Sequence, residues 1–151
     1  MESEMDQTGL FIGSPPRRLE ATLVTSATAR GGAVLCHPHP LYGGSMHNAV
    51  VVAIADALTA AGVATLRFNF GGVGRSEGAH GGGDAEVGDV RVAMMELAAR
   101  LPAGTPIILV GYSFGAWTAL RCVREGLSQP LAGLVLVAPP FDLLGWDAVT
   151  P

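Results

Sequence analysis

The 151 residues carry a net charge of −4, with 49% hydrophobic and 15% charged side chains, a balance that argues for a folded core and against disorder. All nine Lys+Arg residues are arginine, and the net charge implies no basic surface for nucleic acid. No apolar stretch is long enough to span a bilayer, and the acidic, polar start from Met1 to Gly9 is unlike a signal peptide. The expectation is one cytoplasmic domain over residues 1–151, with no membrane or nucleic-acid partner.

Residues 10–12 and 19–25 read as a pair of strands around Gly13-Ser14-Pro15-Pro16, an antiparallel N-terminal unit. Residues 33–36 form a third, wholly apolar strand that runs into His37-Pro38-His39-Pro40-Leu41-Tyr42-Gly43-Gly44, where two prolines bar regular structure. A helix follows, with Ser45 as the expected N-cap, Val51, Ile54, Ala55, Leu58 and Ala61 on one face, and Gly62 as its end. Residues 64–70 are the next strand, closed by Gly71-Gly72-Val73-Gly74. Residues 84–101 are a second amphipathic helix, with Val87, Val90, Met94, Leu97 and Leu101 inward. Residues 107–110 and 133–138 read as strands buried on both faces, separated by a third helix. Strands alternating with helices give an α/β protein with a mostly parallel sheet, and groups that do chemistry should gather at the strand C-terminal ends. Cys36 and Cys122 lack framework spacing and read as buried thiols.

The stretch Gly111-Tyr112-Ser113-Phe114-Gly115 lies between an apolar strand and a helical segment. That is the context of a G-x-S-x-G nucleophile elbow, where a sharp turn lifts the serine hydroxyl clear of the backbone. A second match, Gly74-Arg75-Ser76-Glu77-Gly78, is followed by the loop-like Ala79-His80-Gly81-Gly82-Gly83 and lacks that context. Ser113 is therefore the expected nucleophile and Ser76 is not. The glycines at 71–74 do not make a dinucleotide loop, because no helix opens there. His37 and His39 sit beside prolines with no third ligand nearby, so loop architecture is expected rather than a metal site. His47 is placed near a pocket rim on the first helix, His80 in solvent and Trp117 in the core.

These motifs, in this order, resemble the α/β-hydrolase superfamily, and most of all small bacterial hydrolases with a His-Pro-His-Pro loop. The likeness comprises His37-Pro38-His39-Pro40 with Gly43-Gly44, Arg67-Phe68-Asn69-Phe70 with Gly72-Val73-Gly74 and Ser76, and the turn at Ser113. Gly71 departs from it, since that loop more often has arginine there. The resemblance implies a three-layer fold lacking its last strands and helix, and acyl transfer to water through an ester on Ser113, with no cofactor or metal. It further implies an oxyanion hole from the Phe114 N–H and one N–H of the loop after Cys36. Leu41 is the first residue past His39-Pro40 able to donate. His39, Tyr42 and Tyr112 are the expected pocket residues, and a small acyl ester is the expected partner.

A serine needs a general base, and in this fold acid and base follow the nucleophile. After Ser113 the sequence has Glu125, Asp142 and Asp147 and no histidine. The plainest expectation is a truncated copy of a longer hydrolase, with Asp142 as an outside candidate for the acid. Its outermost strand would then be an exposed apolar edge open to self-association. The alternatives are a non-catalytic module that uses the same cleft for binding, and a half-domain completed in trans by another chain.

Overall fold

A computed structural model describes residues 4–140. Its strands are β1 (Asp6–Ile12), β2 (Leu19–Thr25), β3 (Gly31–Cys36), β4 (Val63–Phe68), β5 (Ile107–Tyr112) and β6 (Gly133–Val137). The helices are α1 (Ala49–Ala60), α2 (Asp84–Arg100) and α3 (Phe114–Glu125), with a 3₁₀ turn at Pro40–Tyr42. The strands make one sheet in the order β1-β2-β4-β3-β5-β6. The β1–β2 and β2–β4 pairs are antiparallel, and β4–β3, β3–β5 and β5–β6 are parallel.

Two apolar clusters sandwich the sheet into three layers. The larger joins Leu66 and Phe68 of β4 and Leu109 of β5 to Val87, Val90, Met94 and Leu97 of α2 and Trp117 and Ala119 of α3. The smaller joins Ala33, Leu35 and Val110 to Val51 and Ala55 of α1. The connection leaving β3 goes one way along the sheet, to β4, whereas the one leaving β4 crosses back to β5. The C-terminal ends of β3 and β5 therefore flank the point where strand order reverses, the usual crevice in an open α/β sheet.

Three expectations need correction. The cap of α1 is Asn48, not Ser45: Asn48 Oδ1 accepts the N–H groups of Val50 at 3.0 Å and Val51 at 3.3 Å. Ser45 Oγ instead accepts the His47 N–H at 3.1 Å, in the turn before the helix, which leaves His47 outside α1. The ladder of β4 ends at Phe68 rather than Phe70. Beyond it, the Asn69 N–H donates to the Glu20 carbonyl at 2.9 Å and the Phe70 N–H to His37 Nε2 at 3.0 Å. Finally, β6 is not buried on both faces. It pairs only with β5 among the described residues, and Val135 is 42% exposed. Asp142 and Asp147 lie outside the described residues.

Candidate active site

The corner between β5 and α3 is built by steric exclusion. A side chain at Gly111 would run into the Gly115 carbonyl, and one at Gly115 would run into the carbonyls of Cys36 and His37. Glycine at both positions lets strand, helix and the end of β3 close on one another. Ser113 turns the corner at φ 57° and ψ −117°, a left-handed conformation that costs a non-glycine residue of order 1–3 kcal/mol. Its N–H donates to the Val137 carbonyl at 2.9 Å, and its carbonyl accepts from Ala116 at 2.9 Å and Trp117 at 3.2 Å. Both backbone groups are used, and the half-buried residue stands at the C-terminal end of β5. Phe114 is the first residue of α3, so its N–H has no partner within the helix. None is found elsewhere among the described residues.

The loop after β3 stands opposite. His37 is wholly buried: its Nδ1 donates to the Pro38 carbonyl at 2.6 Å and its Nε2 accepts the Phe70 N–H at 3.0 Å. Burial, opposed by the Pro38 bond, lowers its pKa from 6.5 to about 4. It is a neutral peg joining the loops after β3 and β4, and both ring nitrogens are spent. The native state binds fewer protons than the unfolded chain between those two values, so the contribution of His37 is complete above pH 6.5 and fades towards pH 4. Its size is on the order of 3 kcal/mol. Urea midpoints at pH 7.5 and pH 4.5 should fall apart accordingly, and His37→Gln should flatten that part of the slope. An unchanged slope in the variant would remove His37 as its source.

His39 caps the 3₁₀ turn with its Nδ1, which accepts the Leu41 N–H at 3.1 Å. Its ring lies 4.5 Å from Tyr42, 4.7 Å from Phe114 and 5.0 Å from His80, centroid to centroid. Burial, and then the neighbouring His80, lower its pKa, with Glu86 opposing. Leu41 and Tyr42 form an exposed lip beside it. The Leu41 N–H, expected to face substrate, is engaged by His39 in this arrangement. The Tyr42 N–H is bound to the His39 carbonyl at 3.1 Å. The His39 N–H has no partner among the described residues. Tyr112 packs against the α1-side cluster.

His80 is the main surprise. Expected in solvent, it is only 17% exposed, with Nδ1 buried and 3.7 Å from Glu86 Oε2. Its ring lies 5.8 Å from that of Phe114. The loop that carries it is held by two buried acids. Glu86 accepts the N–H groups of Gly81 at 2.9 Å and Gly83 at 2.7 Å, and Asp89 accepts that of Gly71 at 3.0 Å. Arg17, reaching in from the N-terminal hairpin, binds Asp89 bidentately at 2.8 and 2.9 Å, Glu86 at 3.3 Å and the Ala79 carbonyl at 2.8 Å. Its guanidinium fills the space that a side chain at Gly71 would need. Position 71, where the resemblance expects arginine, thus has the Arg17 guanidinium packed against it. Burial raises Asp89 above the usual carboxylate range although Arg17 and the Gly71 N–H pull it down.

Ser76 belongs to the framework. Its hydroxyl donates to the Asn69 carbonyl at 2.7 Å and accepts the Glu20 N–H at 2.9 Å. Trp117 is core, 8% exposed. Cys36 and Cys122 are buried and unbonded to each other, and burial raises both thiols, Cys122 to about 11. Among the described residues no three His, Cys, Asp or Glu side chains converge as metal ligands, and no helix is long and apolar enough to cross a membrane.

A sheet of this order, with a left-handed serine at the corner between β5 and α3, defines the α/β hydrolases. Residues 28–146 match the family described as serine aminopeptidase, S33, and the chain belongs to that family. It is 36% identical over 138 residues to an uncharacterized protein of Rickettsia prowazekii, covering 89% of this chain and 56% of that protein. The chain thus spans just over half the length of this curated relative. An α/β serine hydrolase homologue from Coxiella burnetii is 34% identical with a TM-score of 0.84, over 95% of this chain and 68% of the other. An α/β serine hydrolase without a lid from Xanthomonas campestris is 33% identical with a TM-score of 0.82, over 100% of this chain and 68% of the other.

Proposed function

We propose that this chain carries the nucleophile and oxyanion hole of a serine hydrolase acting on carboxyl esters or related acyl compounds. The observation that carries this reading is the left-handed Ser113 at the mouth of the crevice, beside a Phe114 N–H with no partner. Ser113 Oγ attacks the carbonyl carbon, and the carbonyl oxygen takes up the negative charge between backbone donors. The first donor is the Phe114 N–H. The second is reassigned from Leu41 to His39, because Leu41 could serve only by giving up its bond to the His39 ring. Collapse of the tetrahedral intermediate expels the alcohol and leaves an ester on Ser113, which water then hydrolyses. Each proton transfer needs a base, and residues 114–151 contain no histidine.

A chain that holds the nucleophile without that base should trap acyl groups slowly rather than turn over. Incubation with p-nitrophenyl acetate and 2-methylimidazole, a hindered external base, should place one acetyl group on Ser113. Peptide mass spectrometry reads it, and Ser113→Ala should carry none. The background is low because the sequence has no lysine to acylate. Acetylation spread evenly over the serines would sink the assignment and leave a binding module as the better reading.

A further inference from the structure

Two imidazoles stand side by side next to the Ser113 corner, each with one edge already committed. His39 Nδ1 accepts the Leu41 N–H, so the ring proton of His39 must sit on Nε2. His80 Nδ1 is buried, and the nearest acid oxygen is Glu86 Oε2 at 3.7 Å. A nitrogen lone pair facing a buried carboxylate is repelled, so Nδ1 of His80 carries the proton, and in the neutral ring Nε2 is left as an acceptor. Neither Nε2 has a partner among the described residues, and neither is a buried unpaired atom, so both reach solvent.

We propose that His39 and His80 form a subsite for a hydroxyl group, one ring donating and the other accepting, and that the substrates are esters bearing a hydroxyl on their acyl or alcohol part. This rests on the reading of Ser113 as the acyl-transfer centre. The ring centroids are 5.0 Å apart, and they lie 4.7 and 5.8 Å from that of Phe114, whose N–H is the proposed oxyanion donor.

The chemistry selects among groups. An aliphatic chain would strip water from both Nε2 atoms and pair with neither. A carboxylate could take the His39 donor, but it would meet the His80 lone pair and the field of Glu86 and Asp89, two buried acids that share Arg17 as their bonded cation. A hydroxyl accepts and donates at once and meets both rings. Glu86 is a positioning residue here, since it both holds the loop at Gly81 and Gly83 and fixes the His80 tautomer.

The test uses the whole chain, uniformly ¹⁵N-labelled, at pH 8. Long-range ¹⁵N–¹H spectra should show the proton of His39 on Nε2 and that of His80 on Nδ1. Titration with ethyl 3-hydroxybutyrate and with ethyl butyrate should then move both rings, the hydroxy ester half-saturating at about fivefold lower concentration. His80→Phe should abolish that ratio, and His80→Gln, whose amide reaches to about the Nε2 position, should restore part of it. The ratio is read within each variant, so a general loss of affinity does not imitate the effect. Equal response to the two esters, or a His80 proton on Nε2, overturns the subsite and leaves the acyl-transfer reading standing. No shift at the Phe114 amide with either ester overturns both.

Discussion

Replacing Arg17 with methionine should lower the unfolding free energy by about 3 kcal/mol. The side chain is 27% exposed, but its partners are not: Glu86 is 0% and Asp89 3% exposed. Methionine keeps the apolar stem, so the loss is electrostatic and hydrogen-bonding, with two carboxylates left in a dry site and only backbone N–H groups and the His80 ring to meet them. Removing one member of a buried pair costs more than the pair contributed, because the other charge stays behind. Arg17→Lys should fall between the two, since an ammonium cannot span Asp89 bidentately while reaching Glu86 and the Ala79 carbonyl. Urea unfolding measures the stability. Hydrogen exchange at Gly81 and Gly83 reports the loop directly, and both amides should exchange faster in Arg17→Met. A midpoint within about 0.5 kcal/mol of the parent, the scatter of ordinary surface changes, would mean the acids are satisfied without Arg17.

That network also marks the limit of what the sequence disclosed. The alternation of strands and helices was legible because buried parallel strands are continuous apolar runs and α2 keeps a helical period. Residues 107–110 and the stripe at Val87, Val90, Met94 and Leu97 fell where expected. Ser113 was legible because two glycines in a strand-to-helix setting have a steric meaning. His80 was not, since a histidine among glycines carries no local hint of burial; its position is imposed from α2. A clue existed there. Glu86 lies in the same inward stripe as Val90, Ala93 and Leu97, and Asp89 is three residues further on. Acids in a core stripe call for a cation from elsewhere, and Arg17 is remote in the chain. The N-cap of α1 failed for another reason. Ser45 and Asn48 are equally good caps by residue type, and the choice fell to the loop, where Asn69 Oδ1 accepts the Met46 N–H at 2.8 Å and Arg67 donates to the Met46 carbonyl. For the second oxyanion donor, spacing shows which N–H groups exist and not which are already bound, as that of Leu41 is to His39 Nδ1.

Two glycine-to-alanine changes, made in parallel, isolate the close approach on which the Ser113 corner depends. Both sites are helical, Gly88 in the second turn of α2 and Gly115 in the first turn of α3. Alanine favours a helix over glycine by up to about 1 kcal/mol, less near an end. At Gly88 a new methyl group would meet nothing within 4 Å, so Gly88→Ala should stabilise the fold by about 0.5–1 kcal/mol. At Gly115 the same methyl group would press on the Cys36 carbonyl and come within 2.7 Å of the His37 oxygen. Those are backbone atoms of β3 and of the proposed oxyanion loop, pinned by the ladder to β5 and by the His37 bonds, so they cannot rotate aside. Gly115→Ala should therefore destabilise by at least about 2 kcal/mol despite the helical gain, and Ser113 acetylation should drop with it as His39 and Phe114 are pushed apart. Relief can come only from separating β3 from α3, which widens the crevice. If Gly115→Ala instead gains stability as Gly88→Ala does, the end of β3 does not bear on α3, and the two proposed oxyanion donors are not held together by this contact.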